Sequence, residues 1–117
     1  MKKIYYLSTC DTNRKILKEL NLGKDVELQD IKEQNIDAKT LDCIKDKVGS
    51  YEALFSKKAI KYRSLGLNTK NLTEEEYRQW LLEEYTFLKR PFIISGQRVF
   101  IGNTAKVIEE AKIALNQ

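Results

Sequence analysis

The sequence predicts an α/β fold: a mixed four-stranded sheet with a helical segment inserted in its middle. Three observations predict it. The chain opens with an apolar β-forming run, a polar break and a helical stripe. It closes with two short apolar runs around Ser95-Gly96-Gln97, followed by another helical stripe. Between them, one short run with some alternation at 25–31 is followed by a long stretch of helical spacing.

Ile4, Tyr5, Tyr6 and Leu7 form the first strand. Ser8-Thr9-Cys10-Asp11 breaks it, and Ile16, Leu17 and Leu20 then fall on one helix face. Asn21-Leu22-Gly23 ends that helix, with Gly23 expected in the left-handed cap. Val26, Leu28 and Ile31 mark a second strand, and residues 32–35 a loop. Asp37 caps a helix carrying Leu41, Ile44 and Val48, which Gly49 closes. Cys43 lies at the edge of that buried stripe and reads as structural. Ser50 caps a short helix with Tyr51, Leu54 and Phe55. The basic run Ser56 to Arg63 reads as a solvated helix face, and residues 64–71 as an irregular connection. Thr73 with Glu76 forms a capping box at the start of a helix expected to reach Leu88, with Leu72 and Tyr77 as the hydrophobic staple. Tyr77, Trp80, Leu81, Tyr85 and Leu88 form its core stripe. Pro91 opens a strand, as proline can. Phe92–Ile94 and Val99–Ile101 make a β-hairpin. A last helix from near Thr104 buries Val107, Ile108, Ala111 and Leu115. The two early strands, joined by a helix, pair in parallel through a right-handed crossover, and the hairpin adds antiparallel partners.

The 117 residues suit one domain, residues 1–117, with one sizeable core. Hydrophobic residues make up 42% and charged residues 32%, which excludes a disordered chain. The net charge of +4 is mild and its signs are interleaved, so direct nucleic-acid binding is not expected. No apolar run reaches membrane-span length, and the opening residues lack a signal-peptide core. The expected location is the cytoplasm. Two cysteines are too few for a disulfide scaffold, and histidine is absent, which excludes a zinc site or a Cys-His pair.

Cys10 is the residue with chemical promise. At the first turn of a helix, unpaired N–H groups and the positive dipole end favour a thiolate and can cradle an oxyanion. The competing reading is a small buried filler.

Three stretches carry a resemblance to a known family. The first is KIYYLSTCDTNRKILKEL, with cysteine after the first strand and Arg14 four residues on. The second is KRPFIISGQRVFIGN, and the third is YEALFS ahead of the long helix. Together they resemble the arsenate reductase (ArsC)/Spx family, which has a thioredoxin-like fold. The resemblance implies a cis Arg90–Pro91 bond close to Cys10, with Pro91 as a structural residue. It implies that Cys10 is the nucleophile and that Arg90 is one of three oxyanion-binding arginines. The other two family arginines fall where this chain has Ser56-Lys57-Lys58 and Asn103. The family histidine is Tyr6 here.

The resemblance implies an ArsC-like, thiol-dependent reductase with Cys10 and Arg90 as catalytic residues. Asn13, Arg14, Lys57 and Lys58 are the expected anion-binding residues. Lysine supplies charge but not the planar fork of arginine, so true arsenate reduction is not expected. No bound cofactor is expected, and no metal. The reductant is an external thiol, glutathione or a glutaredoxin- or thioredoxin-type protein. The alternative is an Spx-like regulator that binds RNA polymerase. Cys10-Asp11-Thr12-Asn13 departs from the Cys-x-x-Cys switch of that branch, so no local disulfide can form.

Overall fold

The computed structural model describes residues 2–117. Its strands are β1 (Lys2–Tyr6), β2 (Val26–Asp30), β3 (Phe92–Ser95) and β4 (Arg98–Ile101). Its helices are α1 (Asp11–Glu19), α2 (Ala38–Val48), α3 (Ile60–Ser64), α4 (Glu74–Glu83) and α5 (Ala105–Leu115). The chain divides into two compact units. One runs to Gln34 and resumes at Arg90, and the other is Asn35–Lys89.

The first unit holds the whole sheet, in the order β2-β1-β3-β4. β1 and β2 are parallel, while β1–β3 and β3–β4 are antiparallel. This is the mixed, thioredoxin-like arrangement that the element order requires. Ile4, Ile93 and Phe100 stand opposite one another across three strands. Such a row shares one face of the sheet. It packs with Ile16 and Leu20 of the α1 segment and with Ile108, Ala111, Ala114 and Leu115 of α5. The other face carries Tyr5 and Phe92, edge to face at 5.9 Å and both buried.

Local chemistry sets most element ends. Thr104 Oγ1 accepts from Val107 N and starts α5. Gly96 has φ of 61° in the two-residue turn between Ser95 and Arg98, a conformation glycine adopts without a side-chain clash. The end of α1 differs from expectation. Asn21, not Gly23, takes the left-handed conformation, with φ of 52°. Asparagine tolerates that region, and the Leu20 carbonyl is satisfied by the Asn116 side chain at 3.2 Å.

The second unit contains α2, α3 and α4. Asp37 caps α2 through Thr40 N, and Gly49 ends it in the left-handed region. The capping box of Thr73 and Glu76 is present at the start of α4. The expected helix to Leu88, however, stops at Glu83. The Asn35 amide donates to the carbonyls of Leu81 and Leu82, satisfying part of the helix C-terminus. Glu84 then turns its carboxylate onto Thr86 N and starts a single 3-10 turn, Tyr85–Phe87. The expected short helix at 51–55 is likewise a 3-10 turn, Glu52–Leu54. The irregular stretch at 64–71 contains a third such turn, Leu67–Thr69. Phe55 centres the core here, stacked on Phe87 at 4.6 Å and flanked by Tyr77 and Tyr62. Cys43 is exposed rather than at the edge of the core, because Leu41 and Ile44 take the inner face of α2.

Candidate active site

The site lies at one end of the sheet, in the first unit. β1 leaves the sheet at Tyr6, and Tyr6 is paired with Asp30 at the end of β2. β3 enters opposite Tyr5, directly after Pro91. The Cys10 loop and the Arg90–Pro91 segment therefore meet the sheet at the same end, beyond the carboxyl ends of its parallel strands. In open α/β sheets that end is where ligands bind.

The loop is shaped by its own backbone and by two buried or half-buried side chains. Cys10 N donates to Leu7 O at 3.1 Å, and Cys10 O accepts from Arg14 N at 3.1 Å. Cys10 is thus the N-cap residue of α1, in extended conformation. Its thiol makes no capping hydrogen bond, so the sulfur is not used up in closing the helix. Cys10 is half-buried, so its thiol is in part open to solvent.

Asn13 lies against this sulfur. Its side chain is 2% exposed, the only polar residue in the buried set among the described residues. Asn13 Oδ1 accepts from Leu7 N at 3.0 Å, which fixes the amide orientation. Asn13 Nδ2 is then left to donate to Cys10 Sγ, at 3.5 Å.

Asp30 anchors the other side of the loop. Its Oδ1 accepts from Ser8 N at 3.3 Å and from Lys32 N at 3.1 Å. Burial alone would raise its carboxyl, but the hydrogen bonds from Ser8 and Lys32 outweigh that and hold it below the ordinary value. Sequence reasoning missed Asp30. Its only signal is a carboxylate at the end of a strand parallel to the cysteine strand.

Arg14 donates to Ser8 O at 2.6 Å and forms an ion pair with Asp11. Its guanidinium is directed at the loop backbone. Arg90 is half-buried, and the Arg90–Pro91 bond is cis, as the resemblance implies. Lys57 and Lys58 belong to the second unit. Lys57 pairs with Glu52 at 2.7 Å, and that hydrogen bond raises the ammonium above its usual range. Lys58 lines a groove with Ala59, Ile60 and Arg63. The described residues contain no group of His, Cys, Asp and Glu able to hold a metal ion. Among the described residues, no helix is long and apolar enough to cross a membrane.

Comparison with known proteins agrees with this architecture. YusI of Bacillus subtilis strain 168, described as uncharacterized, is 30% identical over 110 residues, covering 91% of this chain and 93% of YusI. The solution structure of SACOL0876 from Staphylococcus aureus COL is 27% identical with a TM-score of 0.77, covering 95% of this chain and 98% of that one. An arsenate reductase (ArsC) related protein from Brucella melitensis is 25% identical with a TM-score of 0.70, covering 93% and 92%. The model of the ArsC family matches residues 5–111, so nearly the whole sequence, including Cys10, the Arg90–Pro91 hairpin and most of α5, lies within one family pattern, and the chain belongs to the ArsC family.

Proposed function

We propose that this protein is a thiol-dependent reductase that acts through Cys10 and an external thiol in the cytoplasm. The observation that carries the reading is the Asn13 amide. It is locked by Leu7 N so that its N–H points at the Cys10 sulfur. A buried filler cysteine has no need of such a donor.

In the proposed cycle the Cys10 thiolate attacks an oxidised centre. With a mixed disulfide as substrate, a new S–S bond forms to Cys10. The displaced thiolate leaves and takes a proton from solvent. An external thiolate, from glutathione or a glutaredoxin- or thioredoxin-type protein, then attacks that bond. It departs with the second sulfur as a disulfide and restores Cys10. The two electrons delivered to the substrate come from the external thiol and the sulfur it removes. Asn13 and Arg90 stabilise the thiolate. Arg14 holds the loop in the shape that presents the sulfur.

The third residue after Cys10 is Asn13, so the external thiol has no cysteine competing from that position. The same substitution argues against the regulated, disulfide-switching form of an RNA polymerase-binding protein. Arsenate fits the site poorly, because lysines and Asn103 stand where the family carries two anion-binding arginines.

The test is turnover of a glutathione mixed disulfide and of arsenate, coupled to glutathione and glutaredoxin. Wild type should turn over the disulfide, Cys10→Ser should not, and Cys43→Ser should match wild type. Arsenate turnover should be weak at about 1 mM or below, the usual range of enzyme substrates. A Cys10→Ser variant as active as wild type would sink the reading.

A further inference from the structure

The inserted unit carries an exposed surface around the start of α3. Ile60, the first residue of α3, is 87% exposed, far more than any other exposed large apolar residue in the described chain. It lies in a shallow groove of about 590 Å³ with Lys57, Lys58, Ala59, Arg63 and Ser64. Three of the six lining residues are cationic and none is acidic. We propose that this face of the inserted unit docks an acidic segment of a partner protein, one that sets an aliphatic side chain on Ile60 among its carboxylates.

Charge complementarity selects that occupant. Lys57 is paired with Glu52, and the nearby Lys61 with Glu84. Lys58 and Arg63 form no ion pair among the described residues, and both are exposed. Two uncompensated cations therefore flank an uncovered isoleucine. An apolar centre with a charged rim is the anatomy of a protein-binding patch. The lysine and arginine stems extend the apolar area while their heads meet carboxylates. A nucleic acid fits less well. An aliphatic side chain offers phosphates nothing. The one aromatic ring of α3, Tyr62, is turned edgewise onto Phe55 in the core and is not presented for base stacking. The proposal rests on Ile60, Lys58 and Arg63 and not on the chemistry of Cys10, and peptide binding tests it apart from turnover.

The experiment is fluorescence anisotropy with a labelled peptide of alternating Asp and Glu around a central Leu. The comparison probes are the same peptide with Ser for Leu, and a short labelled DNA duplex. The proteins are wild type, K58E/R63E, Ile60→Ser, and K106E/K112E on α5 as a charge-matched control. The Leu peptide should bind wild type and weaken as salt rises. K58E/R63E should lose at least about tenfold in affinity. Ile60→Ser should weaken the Leu peptide several-fold and leave the Ser peptide unchanged. The control should bind as wild type, and circular dichroism should show all variants folded. Cys10 alkylation should be the same in Ile60→Ser and in the α5 control as in wild type. No binding of the Leu peptide, equal loss in the control, equal binding of Leu and Ser peptides, or tighter binding of the duplex would each overturn the proposal.

Discussion

Asn13 holds the Cys10 sulfur by one end of its amide and the backbone of Leu7 by the other. The two bonds are separable by mutation. Asn13→Ala removes both. It orphans a buried Leu7 N–H, at a cost of about 1–3 kcal/mol, and should slow alkylation of Cys10 at neutral pH. Asn13→Asp keeps an acceptor for Leu7 N but places a carboxylate beside the sulfur. It should recover stability relative to the alanine variant and slow alkylation further, since a like charge disfavours the thiolate. If Asn13 only props up the loop, the aspartate variant will label as fast as wild type. Thermal melts and iodoacetamide labelling of both variants decide between the two.

Arg90 enters the sheet at the end where Cys10 leaves it. In the proposed function its guanidinium stabilises the Cys10 thiolate through charge-assisted hydrogen bonding. Arg90→Ala should slow Cys10 alkylation at neutral pH by roughly tenfold, equivalent to about 1.4 kcal/mol, with the fold intact. Arg90→Lys should recover part of that rate but little of any bidentate anion binding. An Arg90→Ala variant that labels like wild type but melts earlier would assign Arg90 to the architecture alone.

The inserted unit rests on its aromatic core. Phe87 is fully buried, stacked on Phe55 and met edge-on by Trp80 at 5.8 Å. Phe87→Ala should cost about 3–5 kcal/mol. Denaturant unfolding measures it. A loss below about 1 kcal/mol would mean that Phe55 and Trp80 collapse into the space.

The parts of this architecture that depend on local chemistry could be read from the sequence. Asp37, Thr73 with Glu76, Thr104 and Gly96 each act on residues within three positions, and each does what its type predicts. Cys10 at a helix start was readable for the same reason. What escaped depends on distant partners. The early end of α4 comes with the Asn35 amide, 46 residues away from Leu81. The Asp30 anchor acts across two strands, 22 residues from Ser8. Periodicity saw Tyr85 and Leu88 continue the α4 stripe, but nothing in the spacing revealed that Glu84 would leave the helix to cap Thr86. The basic run at 56–63 was readable as a solvated face, and Ile60 within it is 87% exposed.

Asp42 makes the pH dependence of the inserted unit testable. Its carboxylate accepts from Arg78 Nε at 2.8 Å and Arg78 Nη2 at 3.1 Å, and from the Tyr51 hydroxyl at 2.6 Å. These bonds tie α2 to α4 and to the segment after α2. The Arg78 guanidinium first, and the Tyr51 hydroxyl second, pull the Asp42 carboxyl down to about 2. A carboxylate whose folded value lies below its unfolded one stabilises the fold above the unfolded value, about 3.9. That contribution fades as pH falls toward about 2. Asp42→Asn keeps the shape and an acceptor but has no charge to lose. The variant should therefore melt below wild type at neutral pH. The gap should narrow as the pH falls from about 4 toward 2. Both partners are more than a third exposed, so the gap should be modest and shrink with added salt. Melting curves of the two proteins across that range are the measurement. A gap that stays constant down to the acid limit would show that the geometry of the Arg78 pair, and not its charge, supports the unit.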